Sequence, residues 1–298
     1  MSKETGAVAP TLVRDWDFKP SRAPLWYERE RLTSALRLRH APPKSEMLKP
    51  VSASPRWSLY FVYLPDGVLG EPHQFTLDQL RKLDRKLMVV CAAPTSADIP
   101  PALIEAADAI YWKGLDGFDF SAYAIGLSAI AAGSPGAQVL VLNDSVFGPF
   151  GDIAPLIERA RWDLTGFTAS LQFESHIQSY AFLIRDLTAV RLRALRSIFP
   201  VSFAYNELWP VVACFETRLA RVASRRMTVG AFWLGPDDGS DPTVSHALEL
   251  LDQGFPFVKK SLVGKHRSKQ DEAKVRDALA QRGHPAPAPA PDPEQGRG

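Results

Sequence analysis

The chain of 298 residues is 46% hydrophobic and 23% charged, with a formal net charge of +2, as in an ordinary soluble protein. Its length is sufficient for one large domain or two small ones. The small net charge excludes a strongly basic nucleic-acid-binding protein. The sequence has no apolar run of about 18 residues, which excludes a membrane-spanning protein, and no signal-peptide pattern, which excludes a secreted one. These features favour a cytoplasmic location.

The first 56 residues concentrate the positive charge, with eleven Lys or Arg against six Asp or Glu. We therefore treat residues 1–56 as a basic N-terminal extension. Within it, LWYERERLTSALRLRH (25–40) predicts a helix with Leu25, Leu32 and Leu36 near one face, accompanied by four arginines. One interpretation is a solvated helix packed on the domain. The other is a docking site for an anionic membrane surface or a partner.

After this extension, apolar runs alternate with segments of helical periodicity. The predicted strands have no polar face, which is typical of strands buried on both sides. They are 57–64, 87–93, 109–113 and 138–142, and the predicted helices are 75–86, 102–109 and 120–132. This alternation predicts an α/β domain with a mostly parallel sheet flanked by helices, in which ligands bind at the carboxyl ends of the strands.

The last of these strands ends on three polar residues, Asn143, Asp144 and Ser145. Such residues are good turn and cap residues, so a structural role is one interpretation. Asp152 is the better cap for the helix predicted at 153–162, which leaves the triplet less needed for capping. The other interpretation is that the triplet faces a ligand at the edge of the sheet.

A second polar cluster, Asp116, Gly117 and Asp119, follows the strand at 109–113 and opens the next helix. Asp119 could be the N-cap of that helix, but we expect the cluster to neighbour the first one at the ends of adjacent strands. Carboxylates there would bind ribose or sugar hydroxyls, or hold Mg²⁺ or Mn²⁺ on a diphosphate, with Asp144 as a metal ligand. The acidic segment PDDGSD (236–241) lacks the later EF-hand ligands and predicts a surface turn.

Several segments resemble the rhamnan synthesis protein F family of bacterial glycosyltransferases. They occur in the family's order over residues 57–264, and they are GFDFSAYAIGLSAI, VLVLNDSVFGPF, WDLTGFTAS, HIQSYAFLI, CFETRLAR and GFPFVKKSLV. One departure is Leu115, where the family's basic-x-Asn-x-Gly-x-Asp pattern has an asparagine, although Lys113 keeps the basic position.

This resemblance implies a GT-A-like domain that transfers a deoxysugar from a nucleotide-sugar donor, dTDP-rhamnose being the expected one. The acceptor would be a bacterial surface polysaccharide or lipopolysaccharide, free or lipid-linked, and transfer would invert the anomeric configuration. The alternative is a non-catalytic protein that binds nucleotide sugar or glycan, or a scaffold of polysaccharide assembly. We also expect the protein to lie on the inner face of the membrane if the basic extension docks there.

Inversion needs a carboxylate as general base, and the sequence offers three candidates. One of them, Glu174 beside His176, is equally typical of an exposed loop. Glu216 lies in an otherwise apolar helix, where a carboxylate is costly unless partnered or used, and Arg218 or Arg221 could pair with it instead. Asp163 lies between a predicted helix and a predicted strand, where a turn role is the alternative.

Two further groups are assigned to substrates. His176, Gln178 and Ser179 precede an apolar run and could bind acceptor hydroxyls, although a lone histidine is more often structural. Lys259 and Lys260 follow Phe-Pro-Phe and could meet the donor diphosphate, although adjacent lysines usually mark a solvated surface. At the C-terminus we expect a helix in 265–284 and a disordered Pro/Ala-rich tail in 285–298.

Overall fold

The computed structural model describes residues 12–264 and 271–285. Within these ranges the strands are β1 Val13–Asp17, β2 Ser45–Lys49, β3 Arg56–Tyr63, β4 Lys86–Ala92, β5 Ala109–Lys113, β6 Ala137–Asn143, β7 Val146–Phe147, β8 Leu164–Ser170, β9 His176–Ile177, β10 Ala181–Leu187, β11 Val229–Leu234 and β12 Val258–Lys259. The α-helices are α1 Leu25–Arg37, α2 Glu71–Arg81, α3 Pro101–Ala106, α4 Phe118–Gly133, α5 Ala154–Glu158, α6 Ala189–Ala194, α7 Leu208–Val211, α8 Thr217–Ala223, α9 Pro242–Ser245, α10 Ala247–Asp252 and α11 Glu272–Gln281. A π-helical turn, Val212–Glu216, joins α7 to α8.

A single large sheet organises the fold, with strand order β1-β11-β8-β10-β6-β3-β4-β5-β2, and β9 pairs with β8. The segment β6-β3-β4-β5 is entirely parallel, and β8 and β11 are parallel to each other. Its two central strands, β3 and β4, are buried along most of their length, as their uninterrupted apolar sequences require. These features confirm an α/β fold with a large, mostly parallel sheet flanked by helices.

Helices cover both faces of the sheet. One hydrophobic core lies between the sheet and α4, α6 and α8, and the other lies beneath α2, α3, α5 and α10. Of the predicted helices, that at 153–162 is shorter than expected and ends at Glu158, although Asp152 does accept a hydrogen bond from the N–H of Ala154 at 2.9 Å. No helix among the described residues is both long and apolar enough to span a bilayer.

The chain order creates a switch point in the middle of the sheet. From β3 the chain moves outward through β4 to β5, then returns through α4 to β6 on the other side of β3. The loops that leave β3 and β6 therefore diverge and open a crevice at the carboxyl ends of these two strands. Open α/β sheets bind ligands in such crevices.

The segment treated as a basic extension contributes to the same sheet. Strand β1 pairs with β11 and strand β2 pairs with β5, so both add antiparallel edges to the sheet. Helix α1 packs on the domain through Tyr27, Arg31 and Ser34, in agreement with the first interpretation of that helix.

Helix α11 falls within the C-terminal helix expected at 265–284. Its buried residues Val275 and Leu279 pack in a small cluster with Phe147 and Leu262. Of the expected tail, residues 286–298 lie outside the described residues.

Candidate functional site

A cleft of about 980 Å³ lies at the carboxyl ends of β3, β5 and β6. Nine of the predicted site residues line it, and they are Asp116, Gly117, Asp119, Asn143, Asp144, Ser145, Ser179, Glu216 and Lys259. The cleft thus coincides with the switch point of the sheet, where the fold favours a ligand site.

The polar end of β6 makes the hydrogen bonds expected of a structural turn, and it also lines the cleft. The buried side-chain oxygen of Asn143 accepts hydrogen bonds from the N–H and the hydroxyl of Ser145, at 3.1 and 2.6 Å, which forms a tight local turn. Asp144 Oδ2 accepts a hydrogen bond from the N–H of Tyr63 at 2.8 Å and so ties the end of β6 to the end of β3. All three polar residues nevertheless line the cleft, so their turn contacts do not remove them from it.

The loop after β5 is held by a buried lysine. Lys113 is completely buried, and its ammonium donates to the backbone oxygens of Gly114 and Asp116, at 3.0 and 2.7 Å. Burial lowers the pKa of Lys113 to about 8. Gly117 has φ of +86°, and a Cβ there would lie 2.8 Å from Ser121 Oγ, so this turn requires glycine.

Asp119 connects this loop to the end of β6. Its Oδ2 accepts a hydrogen bond from Asn143 Nδ2 at 2.9 Å, and its Oδ1 accepts one from the N–H of Phe120 at 2.9 Å. Burial, followed by the charge of Glu216, raises the pKa of Asp119 to about 6. The expectation that the two polar clusters follow adjacent strands was wrong, because β3 and β4 lie between β5 and β6. The clusters still meet, because the loop after β5 and the start of α4 reach across the strand ends.

Glu216 lies at the end of the π-helical turn, facing the cleft. Its Oε2 accepts hydrogen bonds from both the N–H and the hydroxyl of Ser179, the former at 3.0 Å. The arginines considered as its partners go elsewhere: Arg218 donates to the Cys214 carbonyl at 3.3 Å, and Arg221 pairs with Glu174 at 3.1 Å. Glu216 is therefore a carboxylate oriented by neutral donors rather than one neutralised by a salt bridge.

The structure does not bring Asp163 to the cleft. This residue precedes β8 and so lies at the amino edge of the sheet, whereas the cleft lies at the carboxyl edge. Its carboxylate accepts hydrogen bonds from Arg191 Nη1 at 3.0 Å and from the N–H and hydroxyl of Thr228 at 2.9 and 3.0 Å. Although partial burial alone would raise the pKa of Asp163, the bonds from Thr228 and Arg191 lower it. The turn role is the one that these contacts support.

The three predicted acceptor residues have different positions. His176 is buried, with Nδ1 at 2.8 Å from the Glu174 carbonyl oxygen. Gln178 is also buried, and it donates to Asp241 at 2.9 Å. Neither residue lines the cleft, so their contacts support the wall of the site, whereas Ser179 reaches the cleft itself.

The two lysines also differ. Lys259 lines the cleft, and its ammonium lies 5.2 Å from the centre of the Tyr180 ring. Lys260 lies behind it with Nζ 3.4 Å from His73 Nε2, and burial lowers its pKa. His73 Nε2 is in turn 3.5 Å from Asp144 Oδ2, so the side chains of Lys260, His73 and Asp144 lie in a row beside the cleft.

Sequence reasoning missed Asp241, which lines the cleft beside Lys259. Within the segment predicted as a surface turn, residues 237–239 are indeed exposed, but Asp241 caps α9 by accepting from the N–H of Thr243 at 2.9 Å. Burial alone would raise the pKa of Asp241, but the charge of Lys259 and hydrogen bonds from Thr243 and Gln178 lower it. The Asp-Pro pair that opens α9 was the available signal.

An aromatic group at the mouth of the cleft was also missed. Phe173 and Trp209 line the cleft, with ring centres 5.6 Å apart, and Phe173 stacks on the buried Tyr27 at 4.7 Å. Trp26 packs edge-on against Phe173 at 5.9 Å. Aromatic faces beside polar groups suit the apolar faces of sugar rings. The sequence holds no pattern that would bring these distant residues together.

A preformed metal site is not observed. Among residues 12–264 and 271–285, no three His, Cys, Asp or Glu side chains are placed to share an ion. His73 Nε2 lies 3.5 Å from Asp144 Oδ2, and Lys260 Nζ lies 3.4 Å from His73 Nε2. The residues therefore do not fit a protein-built Mg²⁺ or Mn²⁺ site at Asp144.

Comparison with known proteins gives little. No protein-family profile matches the chain, and no curated protein shows significant similarity to it. A crystal structure from Desulfovibrio desulfuricans G20, provisionally assigned as a nucleotide-diphospho-sugar transferase, has 14% sequence identity and a TM-score of 0.39, over 77% of this chain and 98% of that chain. Because this TM-score is low, the likeness carries no weight in assigning a function.

Proposed function

We propose that the protein is a glycosyltransferase that uses a nucleotide-sugar donor. The observation that carries the proposal is the position of Glu216, a carboxylate oriented by two donors of Ser179 and open to the cleft at the switch point of the sheet. It shares the cleft with the polar groups at the end of β6. A base opposite a polyol-binding edge is what glycosyl transfer to an alcohol requires.

The donor would lie along the ends of β5 and β6. Asp116, Asp144 and Ser145 offer carboxylate and hydroxyl groups for ribose and sugar hydroxyls, and all three line the cleft. Lys259 is the cationic group that lines the cleft among the described residues, and it would meet the diphosphate, with Lys260 behind it. If a divalent ion takes part, it would arrive with the diphosphate and take Asp144 as one ligand.

The acceptor would lie at the aromatic mouth. There Phe173 and Trp209 offer ring faces for a sugar, and the neighbouring Ser179 and Glu216 offer polar contacts for the hydroxyl that reacts. A ring seated on Trp209 would lie between solvent and the base. His176 and Gln178 would act indirectly, by fixing the wall that carries Ser179.

In the reaction, Glu216 takes the proton from the acceptor hydroxyl while that oxygen attacks the anomeric carbon of the donor. The bond from the anomeric carbon to the diphosphate oxygen breaks, and the nucleoside diphosphate leaves with the electron pair. Lys259 stabilises the negative charge that develops on the leaving oxygen. Attack from the face opposite the leaving group inverts the anomeric centre.

The finer assignment follows the resemblance of the sequence to the rhamnan synthesis protein F family. We propose dTDP-rhamnose as the donor and a bacterial surface polysaccharide or lipopolysaccharide as the acceptor. Leu115 argues for a changed donor contact, because it lines the cleft where that family has an asparagine. The same observation favours the second candidate, a non-catalytic protein that binds nucleotide sugar or glycan.

Turnover of a panel of nucleotide sugars by the purified protein tests the proposal. We expect release of nucleoside diphosphate that is about two to four orders of magnitude slower in Glu216→Gln. Release should be unchanged in Glu207→Gln, because Glu207 is exposed and does not line the cleft. Donor binding by calorimetry without any release would instead support the non-catalytic candidate. Neither binding nor release with any donor would overturn both.

A further inference from the structure

Helix α1 carries a stripe of exposed leucines. Leu25, Leu32 and Leu36 are 85%, 61% and 76% exposed. Because an α-helix turns by about 100° per residue, these three side chains lie within about 40° of one another around its axis. Isolated exposed leucines are common on protein surfaces, but these three are aligned along one helix of 13 residues.

The opposite side of α1 is anchored to the protein. Its buried residues Tyr27, Arg31 and Ser34 point about 180° away from the leucine stripe. Arg31 pairs with the buried Glu174 and donates to the carbonyl of Ala213 at 2.6 Å. The helix therefore cannot roll to bury its leucines without breaking these contacts, so the stripe remains outward.

The charges around the stripe are mainly positive. Arg22, Arg29 and Arg37 are exposed, and Arg29 lies about 20° beyond one edge of the stripe. The one fully exposed acid of α1 is Glu30, since Glu28 is partly buried and pairs with Arg31 at 2.8 Å. An apolar line with exposed arginines nearby matches the boundary between lipid headgroups and acyl chains.

The size of the stripe favours lipid over a second protein. A helix of this length is about 20 Å long and about 10 Å wide, so its outer face covers roughly 200 Å². A stable protein dimer buries about 800 Å² on each partner, several times more. An interfacial helix needs only its own apolar face and nearby basic groups.

We propose that α1 docks the protein on an anionic membrane surface, with Leu25, Leu32 and Leu36 inserted and the neighbouring arginines on lipid headgroups. Trp26, at the N-terminal end of the helix, is 52% exposed and packs against Phe173 at the cleft mouth. Docking through α1 therefore brings the mouth of the cleft close to the membrane surface, where a lipid-linked substrate would be presented.

Vesicle co-sedimentation of the full chain tests the proposal without donor or acceptor, so its outcome is independent of any transfer reaction. The vesicles are neutral phosphatidylcholine alone, or phosphatidylcholine with phosphatidylglycerol, each at low and high salt. The test variant replaces the three leucines of the stripe by glutamine. The matched control replaces three exposed apolar residues outside α1 by glutamine in the same way. They are Met47, Val68 and Val190, which are 55%, 62% and 73% exposed.

We expect binding to anionic vesicles that weakens with salt, a loss of about tenfold or more in the leucine variant, and wild-type binding in the control. Replacing Arg22, Arg29 and Arg37 by glutamine should weaken binding to anionic vesicles specifically. Unchanged melting temperatures would show that each variant is folded.

Three results would overturn the proposal. The first is that the wild type does not bind anionic vesicles, and the second is that the wild type and the leucine variant bind equally. The third is a dimer on size exclusion that the wild type and the control form but the leucine variant does not. The last result would assign the stripe to a second copy of the chain.

Discussion

Asn143 Nδ2 donates a hydrogen bond to Asp119 Oδ2 at 2.9 Å, which joins two polar clusters that are 24 residues apart in sequence. Asn143 ends a buried strand, and Asp119 belongs to the first turn of α4. The bond makes one continuous wall from residues that leave two non-adjacent strands. It also fixes a carboxylate near Glu216, and the proximity of these two acids has a consequence for pH.

The raised pKa of Asp119 predicts a stability that falls as pH rises. The folded protein holds this proton up to about pH 6, whereas the unfolded chain releases it near the ordinary value of 3.8. Stability is therefore lost between about pH 4 and 6, by about 3 kcal/mol, and is flat above. Asp119→Asn removes this loss, so relative to wild type the variant should gain stability as pH rises. Urea unfolding from pH 4 to 7.5 measures the difference.

Asp116→Asn is the control for the loss of one negative charge, because Asp116 is exposed in the same loop. A difference between wild type and Asp119→Asn that does not change with pH would contradict the assignment of the buried proton to Asp119.

The central strands and helices could be predicted because the pattern of apolar residues in each segment indicates which of its faces are buried. An apolar run such as that of β4 can only be buried on both faces, and this requires helices on either side. The edge strands β1 and β2 could not be predicted in this way. Both are largely exposed and polar, and they become strands only through pairing with β11 and β5.

The candidate site could be predicted in part for a related reason. Residues that follow a buried strand, such as Asn143 and Asp144, reach the carboxyl edge of a parallel sheet. Asp163 precedes its strand and so lies at the opposite edge, a distinction that depends on the exact strand boundary. Trp209 and Asp241 come from distant parts of the chain, and only the folded structure shows that they share the cleft.

Arg31 and Arg29 lie two residues apart on α1 but should respond very differently to mutation. Arg31 is buried against Glu174, whose side chain is only 1% exposed, whereas Arg29 is exposed. In Arg31→Gln the buried negative charge of Glu174 loses its main positive partner, which should lower the unfolding free energy by about 3–5 kcal/mol. Arg29→Gln should stay within about 0.5 kcal/mol of wild type. Denaturant unfolding of both variants measures this contrast, and equal values would show that the ion pair does not anchor α1.

Glu216→Gln should slow transfer by about two to four orders of magnitude, the usual effect of losing a general base. Folding should be preserved, because the amide oxygen can still accept both hydrogen bonds from Ser179. Initial rates with saturating donor and acceptor, alongside a thermal melt, measure the two effects. Transfer by Glu216→Gln at the rate of the Glu207→Gln control would remove Glu216 from the proposed mechanism.

Asp144 should bind the donor with one oxygen while the other serves the fold. Oδ2 accepts the hydrogen bond from the N–H of Tyr63, and Oδ1 has no hydrogen bond within the described residues. In Asp144→Asn the amide oxygen would keep the bond to Tyr63, so the amide nitrogen would replace the free carboxylate oxygen. That nitrogen cannot accept a hydrogen bond from a donor hydroxyl, so donor affinity should fall about tenfold or more, with an almost unchanged melting temperature.

Asp144→Ala separates the two roles of this side chain. It should lose the same donor affinity and, in addition, about 1 kcal/mol of unfolding free energy, because the N–H of Tyr63 loses its partner. Calorimetric titration with the preferred nucleotide sugar and a melt of each variant give the comparison. If Asp144→Asn binds donor as tightly as wild type while Asp144→Ala is merely less stable, the carboxylate only links the end of β6 to the end of β3 and does not belong to the donor site.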